Sequence, residues 1–144
     1  MSEEGSAGVA VTMLLCDFAE ELNGKLYVMG GGWSRLTMRS PAANISLAVR
    51  IEVPWDLANI SHKLKAHLVT ADGQQVMFEN QPVQVEGEFE VGRPPGTTRG
   101  TPLVSTFALR FDGLPFEAGR YEWRLDVDGE PEAATAFEVI KEES

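Results

Sequence analysis

A chain of 144 residues, 43% apolar and 24% charged, has the size and composition of one globular domain with its own core, which excludes a disordered or collagen-like chain. Its formal charge of −10, from 22 acidic against 12 basic side chains, repels nucleic-acid phosphates and anionic lipid, and no basic run overrules that. No apolar run reaches the roughly 20 residues of a bilayer span, and the opening MSEEGSAG lacks the regions of a signal peptide, so the expected location is cytoplasmic, with no membrane partner.

In chain order, residues 1–7 are small, polar and acidic and are expected to be a flexible N-terminus, followed by a single domain over 8–140 and a flexible C-terminus over 141–144. Residues 9–16 read as a strand that is apolar on both faces, through Val9, Val11, Met13, Leu14 and Leu15. Such a strand is either covered by the rest of the fold or lies at a subunit interface. Phe18 to Leu22 could form a helical turn. Asn23-Gly24 then marks a tight turn into a strand candidate at 25–30. Gly30-Gly31-Gly32-Trp33 follows, and three glycines permit a bulge or a close approach of backbone, with Trp33 either covering it or facing a ligand. Strand candidates continue at 34–39 and, with clear alternation of Ile45, Leu47, Val49, Ile51 and Val53, at 45–53. A second helical turn is possible at Trp55 to Ile60.

Further strands are predicted at 62–70, 75–79, 83–91, 103–111, 121–127 and 133–140, with Asp72-Gly73 and Asp128-Gly129 as turns. In 83–91 the predicted buried face is Val83, Val85, Phe89 and Val91; in 121–127 it is Tyr121, Trp123, Leu125 and Val127. About 8–9 short strands at such spacing predict an immunoglobulin-like antiparallel β-sandwich. Gly119-Arg120-Tyr121 fits a tyrosine corner, in which the hydroxyl bonds back to upstream backbone; an ordinary buried tyrosine is the alternative.

Candidate chemistry is sparse. His62 and His67 are five residues apart, which on a strand turns them to opposite faces and prevents joint chelation, so both are expected at the surface. Cys16 beside Asp17 reads as a buried structural thiol, since nothing nearby would stabilise a thiolate. Asp126-Val127-Asp128-Gly129-Glu130 carries too few oxygens in too short a turn for calcium. No cofactor and no metal is expected. The stretch from Gly92 to Pro102 is the longest aperiodic one, and it places Arg93 and Arg99 on an otherwise acidic molecule.

From Leu15 to Trp33 the chain runs LCDFAEELNGKLYVMGGGW. This resembles the opening of a family of small bacterial proteins, often actinobacterial, described as a domain of unknown function, with Cys-Asp-x-Ala, then Gly-Lys, then Gly-Gly-Gly-Trp. The stretch VPWDLANISHKLKAHLVTADGQQV and the Gly119-Arg120-Tyr121 hairpin are similar to that family as well. The resemblance implies an immunoglobulin-like sandwich and assigns no catalytic residue.

The resulting expectation is a non-enzymatic cytoplasmic domain that docks on a protein partner or self-associates, using Val9, Val11, Met13, Trp33, Trp55, Arg93 and Arg99. An alternative is a sandwich that binds a small molecule or glycan on Trp33 or Trp55. A third is a hydrolase without a recognisable motif, in which Asp17, Asp56 and Asp126 would converge.

Overall fold

Period-two alternation buries one face of a strand and wets the other, so two such sheets close on each other. The computed structural model describes residues 8–142 and contains β1 (Ala10–Leu22), β2 (Lys25–Gly31), β3 (Arg35–Met38), β4 (Ala43–Val53) and β5 (His62–Thr70). These are followed by β6 (Met77–Phe78), β7 (Gln81–Pro82), β8 (Gln84–Phe89), β9 (Leu103–Leu114), β10 (Gly119–Val127) and β11 (Glu130–Lys141). A four-stranded sheet has the order β2-β1-β4-β9, a five-stranded sheet the order β3-β11-β10-β5-β8, and β6 and β7 form a small separate ribbon. The core lies between the two large sheets, with Leu47, Val49, Ile51 and Val53 on one side and Leu64, Ala66, Leu68, Trp123, Leu125 and Val127 on the other.

The strands number 11 among the described residues, against the 8–9 expected. The surplus comes from short pieces, since Met77–Phe78 and Gln81–Pro82 span two residues each. The five-stranded sheet is also mixed, because β3 runs parallel to β11 from Glu138↔Arg35 to Lys141↔Met38. That is a departure from the purely antiparallel expectation. Val85 is 37% exposed although its strand face is the inner one, because β8 is the edge of its sheet and no further strand among the described residues pairs with it.

Two expectations at chain segments are corrected. Phe18 to Leu22 is no helical turn but the second half of β1. Asn23 and Gly24 adopt φ of 55° and 78°, the pair a two-residue hairpin requires, and Leu22 therefore pairs with Lys25. At the other end, Lys141 belongs to β11 and the Glu142 N–H donates to Met38 O at 3.0 Å, so regular structure passes residue 140. Residues 1–7 and 143–144 lie outside the described residues. The expected turn near Trp55 is present as a 3-10 turn over Trp55–Leu57.

The Tyr121 hydroxyl donates to Glu117 O at 2.8 Å, which is the geometry of a tyrosine corner at the entry to β10. Tyr121→Phe keeps the ring against Phe116 and Phe137 and removes only that bond. Urea unfolding should show a loss of about 1 kcal/mol with the slope of the transition unchanged; a loss near zero would mean the hydroxyl does not anchor the corner.

Candidate functional site

Most apolar side chains of this molecule reach a core; several on the β1–β2 hairpin do not. Met29 is 67% exposed, Tyr27 52%, Leu22 51% and Phe18 36%. The register places Phe18 opposite Met29 and Glu20 opposite Tyr27, with Leu22 opposite Lys25, so these six residues share one face of the hairpin. The other face is used: Ala19 and Leu26 pack with Cys16, Ala48 and Ala108 in a small second core. The hairpin thereby lies over the outside of its own sheet, and the Arg110 guanidinium of β9 sits 5.4 Å from the Phe18 ring centroid.

Glycines shape this arrangement. Gly30 has φ of 62°, and a Cβ there would stand 2.7 Å from Asp17 Cγ, so the strand bends where only a bare backbone fits. A Cβ at Gly31 would stand 2.9 Å from both Leu14 and Val28 side chains. Gly32, at φ of 88°, donates to Leu15 O at 2.8 Å, and the chain then leaves the four-stranded sheet for β3 in the other. The three glycines are thus the corner at which the chain changes sheets. Gly30→Ala should cost about 1–2 kcal/mol from the left-handed backbone alone, read as a lowered melting midpoint; an unchanged midpoint would mean the bend is not required.

Trp33 completes that corner. It is half-buried against the core, edge-on to Phe137 at 6.1 Å, and its buried Nε1 has no hydrogen-bond partner among the described residues. A packed indole of this kind is no open platform. Val9 is buried, and Val11 and Met13 pack against the main core. The inner face of β1 therefore points inward, and Leu14 and Phe18 are the large apolar side chains that β1 exposes ahead of Leu22. Of the two expectations for this strand, coverage by the fold accounts for Val9, Val11 and Met13.

Three other predicted residues come together at the start of the 92–102 loop. Arg93 donates to Trp55 O through Nε at 3.2 Å and Nη2 at 2.5 Å, and its Cζ lies 4.6 Å from the Trp55 ring centroid. Arg99 Cζ lies 5.7 Å from the same centroid, and Nη2 meets Asp56 Oδ1 at 3.2 Å. The loop is therefore tied to the 3-10 turn by a cation–π cluster. Its guanidiniums hold Trp55, which leaves that ring occupied by the protein itself. The Arg99–Asp56 pair is mostly exposed and contributes little stability.

The titratable groups are differently placed from the sequence expectation in one case. His62 is no surface residue: it is 3% exposed, with Nδ1 2.8 Å from Asp128 Oδ2 and Nε2 2.9 Å from Leu57 O. Asp128 Oδ1 also accepts the Lys63 N–H at 2.9 Å. The sequence signal for this was present in the face that His62 shares with Leu64, Ala66 and Leu68. His67 lies on the opposite side, 3.5 Å from Asp126. Cys16 is fully buried, its thiol donating weakly to Ser46 O, and burial, with Asp17 beside it, raises its pKa. Asp17 sits under Gly30, Asp56 beside Arg99 and Asp126 beside His67, so the three aspartates do not meet.

No helix among the described residues is long and apolar enough to cross a membrane. Residues 11–140 match the model of a family of unknown function (DUF6941). No curated protein matches the chain.

Proposed function

The chain belongs to that family of unknown function, and from this premise we propose that it is a non-enzymatic binding domain acting through protein contacts made by the β1–β2 hairpin. The observation that carries the proposal is the exposed face of Phe18, Leu22, Tyr27 and Met29, four large apolar side chains together on a molecule of net charge −10. Contiguous exposed apolar surface of this kind marks interaction sites rather than ordinary surface.

The absence of chemistry is supported by how the nucleophilic and basic groups are spent. The Cys16 thiol is buried and held protonated. Both His62 nitrogens face oxygen acceptors of the fold, which leaves neither free to take a substrate proton. We also read the sheet order as immunoglobulin-like. The Tyr121 corner and the closing β10–β11 hairpin support that reading.

Cross-linked capture from the native host, run in parallel with the wild type and with a Phe18→Ser/Leu22→Ser variant, tests the proposal. A specific species, be it another protein or the chain itself, should be retained by the first and lost by the second. Identical captures by two equally folded proteins would contradict it.

A further inference from the structure

The exposed hairpin face ends at a free strand edge. β2 is the terminal strand of its sheet, so its outward N–H and C=O groups have no strand partner. Natural edges are commonly protected by proline, by inward charges or by very short length. β2 has none of these, and the other two common devices, a lysine and a bend, stand only at its ends, Lys25 and Gly30, so Leu26 to Met29 form an open edge on which every residue but Leu26 is exposed.

We infer that a second copy of this chain pairs with β2 edge to edge, antiparallel about Val28. The inference rests on the binding reading above and names its occupant. Such a two-fold contact is self-complementary, as isologous interfaces must be. It sets Tyr27 across from Met29 of the other copy, twice, an aromatic–thioether contact of the kind that stabilises sheets and interfaces.

Charge permits this edge to meet a second copy. Twenty-two acidic side chains make most approaches between two copies repulsive. The segment 25–31 carries no acid, so two copies meet there without like charges opposed. Tyr27, Val28 and Met29 expose apolar side chains at the seam itself, which pairing with a second copy would cover on both faces of the ribbon. Because the remaining long-range force between copies is repulsion, added salt should strengthen the pairing.

Sedimentation equilibrium of the full chain from about 1 to about 200 μM tests this, since mass action must drive a dimer over that range. The wild type should be a monomer–dimer mixture that shifts toward dimer in higher salt. Tyr27→Glu/Met29→Glu places acid opposite acid and should weaken the dimer at least about 100-fold. A Tyr27→Lys/Met29→Lys chain mixed with the Glu variant should restore a one-to-one dimer that neither forms alone. Circular dichroism melts of both variants establish that they remain folded, as their substitutions lie on an exposed strand. A wild type that stays monomeric at the highest concentration overturns the inference, as does a dimer indifferent to the substitutions or a charge-swapped pair that fails to associate. A monomeric wild type that still loses a different captured protein on hairpin mutation would overturn the dimer and leave the binding reading intact.

Discussion

Replacing His62 with alanine should lower the unfolding free energy by about 2–4 kcal/mol, the range for emptying a packed site and breaking buried hydrogen bonds together. The ring joins three segments: the 3-10 turn through Leu57 O, the start of β5, and the β10–β11 turn through Asp128. It also lies against Phe89, with centroids 5.4 Å apart. Asp128 keeps its bond from the Lys63 N–H and is partly open to water, so the orphaned carboxylate does not add a full buried-charge penalty.

The same contact makes stability depend on pH. Burial opposes the imidazolium more than any other influence, yet the hydrogen bonds to Asp128 and Leu57 O and the nearby carboxylates of Asp128 and Glu90 together raise the His62 pKa above 6.5. A raised folded value means the stabilisation is complete below 6.5 and is lost as pH climbs through the folded pKa. Burial likewise disfavours the Asp128 carboxylate, but the bonds from His62 and Lys63 outweigh it and bring its pKa below 3.8. Its contribution is therefore present above 3.8 and is lost as pH falls through the lowered value. Urea midpoints of the wild type should be highest between those two pH values and fall on the alkaline side. His62→Ala should lack that alkaline fall. A variant whose pH profile parallels the wild type would show that another group sets it.

Trp123→Ala should be the most destabilising single change, at about 3–5 kcal/mol. Trp123 is fully buried at the centre of β10, 4.4 Å from the Phe111 ring across the core. The two sheets are held apart by neighbouring strands, so the space left by the indole has little freedom to collapse. Trp123→Phe is expected to cost much less, under about 2 kcal/mol, because Nε1 has no hydrogen-bond partner among the described residues and its loss removes an unpaired buried donor. Equal costs for the two variants would mean that cavity volume does not set the effect.

The strands were legible wherever alternation ran uninterrupted between turn residues. Ile45 to Val53 and Tyr121 to Val127 needed only period two, and Asn23-Gly24 and Asp128-Gly129 named their own turns. Phe18 to Leu22 misled because apolar residues four apart fit a helix as well as one face of a strand, and only the partner strand decides between them. The strand at β3 was legible but its parallel pairing was not, since four residues carry no sign of which neighbour they join. At the site, Arg93, Arg99 and Trp55 were each visible as unusual residues, but their meeting depends on how a loop returns across some 40 positions. The hairpin face was hidden for the opposite reason. Phe18, Leu22, Tyr27 and Met29 look like core residues in sequence, and only their exposure in the fold reveals their use.

Hydrogen–deuterium exchange across β2, measured on dilute and on concentrated protein, tests the central claim most directly. Amides of 25–31 should exchange more slowly as concentration rises, while those of the 92–102 loop stay unchanged. Exchange at β2 that is independent of concentration, or protection arising elsewhere on the surface, would contradict the assignment of this edge as the place where the protein binds its own copy.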